Sequence, residues 1–129
     1  MKKKMIIIGG GISGIYLSIL LKKYLDIDVV VLEANDKPLK KLLATGNGRC
    51  NLSNKDLDKA HYDGDIKPWV NDIIHDFDIV EALKDIGLYT KYMGNLLYPY
   101  SESAKAVQTL FLNRAEEYGV KIICDEEVL

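Results

Sequence analysis

The chain carries two cysteines and two histidines in 129 residues, and these scarcities narrow its chemistry. Cys50 and Cys124 lie far apart and neither forms a metal-ligand spacing with His61 or His75, so the pattern is not that of a metal centre. A reduced, cytoplasmic protein is the simplest account of that usage. Long apolar runs are also missing, and nothing approaches the roughly 20 residues that span a bilayer. The opening MKKKMIII has the basic start of a signal peptide, but glycines interrupt it at once and no small-residue cleavage site follows. An excess of positive charge is lacking too. With 17 Lys and Arg against 19 Asp and Glu, the net charge of -2 gives no electrostatic case for nucleic acid or for an anionic membrane. The length suits one domain, with no repeat, low-complexity tract or interdomain linker.

What the chain does have is an opening unit, MIIIGGGISG, followed by a helical stripe and then VVVLE. Ile6 to Ile8 suit a strand buried on both faces, as in a parallel sheet. Gly9, Gly11 and Gly14 fall at G-x-G-x-x-G spacing, and each serves a separate physical purpose. Gly9 allows a tight turn, Gly11 leaves room for a pyrophosphate, and Gly14 permits close packing of helix on strand. The amides that begin the helix then face phosphate oxygens. Glu33 follows the last glycine by about 20 residues, where the second strand of such a unit delivers a carboxylate to ribose hydroxyls. A 2′-phosphate would be repelled there, so FAD or NAD is favoured over NADP.

Further along, Ile12, Ile15, Tyr16, Ile19 and Leu20 form the stripe of a helix over 12–24, with Lys22 and Lys23 at its negative end. Asn35 to Pro38 read as a turn. Two glycines, three asparagines and an arginine within 46–54 argue against a stable regular element there. Val70, Ile73, Ile74 and Phe77 mark one face of a helix, which places His75 on the solvated side. His61 has no partner that the sequence identifies. Asp78 and Glu81 have capping-box spacing for a short helix that Gly87 stops. LYTKYMGNLLYPY, 88–100, reads as a hairpin around Gly94 and Asn95. Its tyrosines could stack bases, but without basic surroundings packing on the domain is preferred. Ser101 or Ser103 caps a helix with Val107, Leu110, Phe111 and Tyr118 on its apolar face, ending at Gly119, and 120–124 is a third strand.

GGGISG, LEAND, KKLLATGNGRCNLSN and YPYSESAKAV together resemble the N-terminal part of bacterial FAD/NAD(P)-dependent oxidoreductases of the aminoacetone oxidase-like family, GNGRCN being the most specific signature. The resemblance covers essentially the whole chain. It implies a Rossmann-like α/β fold of the glutathione-reductase type, with parallel strands in the order 3-2-1, inserted helices and a short hairpin. It also implies that Gly9, Gly11, Ser13 and Gly14 bind the FAD pyrophosphate and Glu33 the adenosine ribose. Lys41, Thr45, Gly46, Arg49, Cys50 and Asn51 match the family's second loop, near pyrophosphate and flavin, and Val128 follows the third strand where backbone atoms hold the adenine. NAD(P)H would be the reductant of a full-length enzyme. Where the family often has Gly after Pro38, this chain has Leu39. Beside the resemblance, Arg49 offers a fork of donors for phosphate or for negative charge on a reduced flavin. Cys50 could be a redox thiol, but with no second cysteine nearby it is read as structural or flavin-adjacent.

Members of that family are much longer, so residues 1–129 are expected to be a single partial FAD-binding domain. The C-terminal strand and the substrate domain would be absent. The first strand would then be a bare edge, an association hazard, covered by self-association or by displaced segments of the chain, or paired with a missing C-terminal portion. Three function classes stay open. The chain is the cofactor-binding segment of a flavin-dependent oxidoreductase acting on a small molecule, a non-catalytic fragment that binds nucleotide weakly or not at all, or an NAD-binding Rossmann module serving another subunit.

Overall fold

Alternation of short apolar strands with a helical stripe builds the main layer. In a computed structural model, which describes residues 2–57 and 68–129 and of 68–70 only the backbone, β1 (Lys4–Ile8), α1 (Ile12–Tyr24) and β2 (Asp28–Leu32) form the expected β-α-β unit. β1 runs parallel to β2, with Lys4 opposite Asp28 and Ile8 opposite Leu32. β6 (Lys121–Ile123) joins the far side of β2, also in parallel. The order β1-β2-β6 is the 3-2-1 order of the sequence reading, and the fold is a Rossmann-like α/β domain. His61 lies outside the described residues.

Burial follows the helix stripe. Ile15 and Ile19 of α1 are fully enclosed, and so are Val107, Phe111 and Ala115 of α4 (Ala104–Glu117), which packs on α1. Phe111 meets Tyr16 edge-on with ring centres 6.2 Å apart. Of the two candidate serines, Ser103 caps α4, its hydroxyl accepting from the Ala106 N–H at 3.2 Å. Gly119 ends the helix turn with φ of 73°.

The three isoleucines of β1 do not share one fate. Ile7 is buried, whereas Ile6 and Ile8 are 55% and 68% exposed, which corrects the expectation of a strand covered on both faces. Successive side chains of a strand point to opposite faces, and the described helices cover only the face that holds Ile7, Val29 and Val31. Among the described residues β1 has one strand neighbour, β2, so its other edge is open and no displaced segment pairs with it.

A second, antiparallel sheet holds β4 (Thr90–Met93) and β5 (Leu96–Pro99), the expected hairpin, with its turn at Gly94 and Asn95. A two-residue strand not anticipated from sequence, β3 (Ser53–Asn54), pairs with β5 and gives the order β3-β5-β4. Of the hairpin tyrosines only Tyr98 packs inward, while Tyr89, Tyr92 and Tyr100 face solvent. Along the chain, α2 (Pro68–Asp76) and α3 (Ile79–Asp85) lie between β3 and β4. The Asp78 carboxylate caps α3 by accepting from the Glu81 N–H at 3.0 Å, and Gly87, with φ of 89°, turns the chain out of it. His75 is exposed, as the stripe predicted. Ile73 and Phe77 are also more than half exposed, so the apolar face of α2 is not taken up by the described residues. No helix among the described residues is long and apolar enough to cross a membrane.

Candidate nucleotide-binding site

The carboxyl ends of the parallel strands bring three segments together. In open α/β sheets this is where ligands bind. Gly9 leaves β1 with φ of 101°, a left-handed turn that side chains resist, and its N–H still bonds the Leu32 carbonyl at 2.8 Å. Gly14 lies so close to the strand that an added Cβ would sit 2.1 Å from the Gly9 carbonyl oxygen. An added Cβ at Gly11 would meet nothing within 4 Å. Gly11 is also the N-cap of α1, makes no side-chain cap hydrogen bond and is followed by no acidic residue in the first turn. The helix therefore presents uncapped N–H groups and the positive end of its dipole to open space. The tight turn at Gly9 and the close packing at Gly14 are those that spacing predicts, and Gly11 borders open space.

Gly10, outside the G-x-G-x-x-G count, has a role that sequence reasoning missed. Its N–H donates to Glu33 Oε2 at 2.7 Å, and an added Cβ would stand 2.9 Å from that oxygen. Glu33 Oε1 accepts from the Asn35 N–H at 2.8 Å and from Asn35 Nδ2 at 2.6 Å. These donors, Asn35 foremost and Gly10 after it, hold the Glu33 carboxyl below the usual carboxylate range against the opposing effect of burial. Glu33 is thus charged, buried and used to brace the glycine turn. A carboxylate has about four acceptor positions; three are filled from within the chain, which leaves capacity for one outside donor. The signal for this brace was present in Asn35, two residues beyond the carboxylate, where Asn commonly bonds its local neighbours.

The segment after β6 closes over the same end. The Glu126 N–H donates to the Glu33 carbonyl at 3.0 Å and the Asp125 N–H to the Asn35 carbonyl at 3.0 Å. Val128 lies just beyond, half exposed. On the other side Leu39 adopts φ of 59°, buried, with its N–H on the Gly10 carbonyl at 2.8 Å. Leu39 takes the left-handed conformation for which glycine is the usual residue, at a cost of about 1–2 kcal/mol.

A cavity of about 480 Å³ opens between the glycine turn and the next segment, lined by Gly9, Gly11, Ser13 and Gly14 on one side and by Leu39, Lys41 and Thr45 on the other. The second loop therefore contributes Lys41 and Thr45 to this cavity. It is a 3-10 segment, Lys41–Gly48, broken by an extended Thr45 and left-handed Gly46 and Asn47. Gly46 is compelled by both φ and space, since an added Cβ would be 2.5 Å from the Asn51 nitrogen.

Arg49, Cys50 and Asn51 are carried away from the cavity by that break. The Arg49 guanidinium points to the hairpin, 3.0 Å from Glu102 and 4.8 Å from the centre of the Tyr98 ring. Cys50 is fully buried with φ of 63°, and burial pushes its thiol pKa up. A raised pKa and no exposure fit the structural reading of this cysteine, not a nucleophilic one. A smaller apolar cavity of about 240 Å³ shares Ile12 and Ser13 with the first and is otherwise lined chiefly by Tyr16, Leu52, Phe77, Leu83 and Phe111.

With this geometry in view, nearly the whole chain finds its match in one family model: residues 3–129 correspond to the HI0933-like protein Rossmann domain. The chain belongs to the HI0933-like Rossmann domain family. It is 38% identical over 120 residues to a 3-dehydro-bile acid delta(4,6)-reductase of Clostridium scindens, covering 90% of this chain and 29% of that protein. It is 30% identical over 128 residues to a ribosomal RNA dihydrouridine synthase of Haemophilus influenzae, covering 95% of this chain and 31% of that one. The chain thus spans less than a third of the length of these curated relatives. The crystal structure of Thermovibrio ammonificans THI4 superposes with a TM-score of 0.61 over 95% of this chain and 37% of its own, at 16% identity, a likeness of fold.

Proposed function

We propose that this HI0933-like Rossmann domain is the FAD-binding portion of a flavin-dependent oxidoreductase, with its nearer kinship among the aminoacetone oxidase-like flavoproteins. The observation that carries the reading is the cavity at the uncapped start of α1, where open space at Gly11 faces Lys41 across the glycine turn. An uncapped helix start and a lysine suit a pyrophosphate. The free acceptor position of Glu33 suits one ribose hydroxyl, and the backbone beyond β6, reaching Val128, lies at the same end for an adenine. Bound FAD supplies the electron or hydride chemistry, and the protein positions it. The names of the two curated relatives, a reductase and a dihydrouridine synthase, agree with redox chemistry.

An NAD-binding module is the second reading, because the glycine turn and Glu33 serve either dinucleotide. The contribution of Lys41 and Thr45 from a second segment of the GNGRCN type favours FAD. The test is the absorbance of the purified protein between 350 and 500 nm, roughly the flavin range, followed by titration with FAD and with NAD. Stoichiometric FAD binding is expected. NAD binding without FAD binding would overturn the flavin reading, and binding of neither would leave a fragment without cofactor function.

A further inference from the structure

The pair Arg49 and Glu102 ties the turn after the 3-10 segment to the turn before α4, two elements that also pack on each other. Arg49 belongs to the turn that follows the 3-10 segment. Glu102 precedes the Ser103 cap of α4 in a tight turn, its N–H on the Pro99 carbonyl at 2.9 Å. Glu102 Oε1 is 3.0 Å from Arg49 Nη2, and Glu102 Oε2 is 2.8 Å from Lys91 Nζ on β4. The guanidinium also rests over the buried Tyr98 ring and 3.5 Å from the Met93 sulfur. Arg49 is thereby held by Met93 and Tyr98 of the hairpin and by Glu102 just beyond it.

Glu102 has φ of 47°, a conformation that glycine or asparagine adopts more readily. A glutamate kept in a disfavoured backbone conformation while its carboxylate bridges two cations on separate segments is an outlier of the kind that marks a constrained role. The link matters because Cys50, next to Arg49, is itself left-handed and fully enclosed, with its N–H on the Thr45 carbonyl at 3.0 Å. Thr45 lines the cavity at the glycine turn. Only Gly46, Asn47 and Gly48 separate Arg49 from Thr45 on the cavity wall.

We propose that Glu102 is a positioning residue: it fixes Arg49 against the β4–β5 hairpin and so holds the Gly46–Asn51 turn, and with it Thr45, in the shape that forms one wall of the cavity. Lys91 orients the carboxylate by holding its second oxygen. The idea rests on the cofactor reading only for what that wall faces.

Alkylation of Cys50 by iodoacetamide, in a Cys124→Ser background so that one thiol reports, tests it in the intact chain. Glu102→Gln and Arg49→Met are each expected to speed Cys50 labelling at least tenfold, and the double variant no more than either single. Glu102→Gly separates positioning from bulk stability. It relieves the left-handed backbone, so the thermal midpoint should hold or rise while labelling still accelerates. Labelling of Glu102→Gln and Glu102→Gly at the background rate would overturn the proposal, as would acceleration matched by an equal loss of global stability in urea. FAD titration of the same proteins keeps the two readings apart. Faster labelling in a protein that never binds FAD sustains the positioning role and sinks the flavin reading. Unchanged labelling in a protein that binds FAD does the reverse.

Discussion

The glycine turn at Gly9–Gly14 and the glycine turn at Gly46–Gly48 use the same residue for opposite ends. In the first, glycine keeps space empty for something else: the Gly9 carbonyl beside Gly14, the Glu33 carboxylate beside Gly10, and open cavity beside Gly11. In the second, glycine bends the chain. Gly46, Asn47, Gly48 and Cys50 have φ of 56°, 54°, 81° and 63°, and this near-continuous left-handed stretch sends Arg49 toward the hairpin. The first turn is therefore sensitive mainly to volume, with Gly9 at φ of 101° the exception, and the second mainly to backbone conformation, with Gly46 fixed by space as well.

Alanine and charge substitutions can sharpen or break that contrast. Gly14→Ala should be the most damaging, because its Cβ would overlap a backbone oxygen that cannot yield without parting α1 from β1. A loss of about 3 kcal/mol is expected in urea unfolding, as for a severe overpacking; a loss under about 1 kcal/mol would mean the helix–strand contact is not tight.

Glu33→Gln comes next, at about 2 kcal/mol, since hydrogen bonds to a charged acceptor are worth roughly that much and the amide presents an N–H where a donor already points. Its pH dependence has a definite sign. The folded carboxyl has a lowered pKa, chiefly through the Asn35 N–H and side chain and then Gly10. Its contribution is therefore complete above the unfolded value of about 4.3 and disappears as pH falls through the folded pKa. Urea midpoints of wild type and Glu33→Gln should converge as the pH is lowered below that window. A constant difference from about pH 6 to about pH 3, either side of the ordinary carboxylate range, would show that the charge of Glu33 does not brace the turn.

Gly48→Ala isolates conformation, because its φ is 81° yet an added Cβ meets nothing within 4 Å. About 1 kcal/mol should be lost. Gly11→Ala, with φ of -73° and equally open space, isolates volume. It should change stability by less than about 0.5 kcal/mol while weakening FAD binding at least tenfold. If both variants behaved alike in both assays, the distinction between the two turns would fail.

The first turn was legible in the sequence because its determinants are local. Spacing fixed Gly9, Gly11 and Gly14, and the run VVVLE fixed Glu33 at a strand end. Even there, the three isoleucines misled: a run of apolar residues cannot say how many faces of a sheet its own chain covers, and Ile6 and Ile8 stand exposed. The sequence reading sent the Glu33 carboxylate outward to a ribose, while in the structure most of its acceptor capacity is spent on Gly10 and Asn35. The second turn was legible only as irregular. That Arg49 meets Glu102 depends on a fold-back across the hairpin, and neither residue carries a periodic or spacing signal that names the other. β3 escaped for a related reason, since two residues of strand exist only because β5 is there to pair with them.

Central to all of this is whether the space at Gly11 is where FAD binds. Fluorescence titration of FAD against wild-type protein and Gly11→Ala at equal fold stability tests this most directly. Saturable one-to-one binding by the wild type, weakened at least tenfold by that single methyl group, is the predicted result; equal FAD affinity of the two proteins, or none in the wild type, would contradict it.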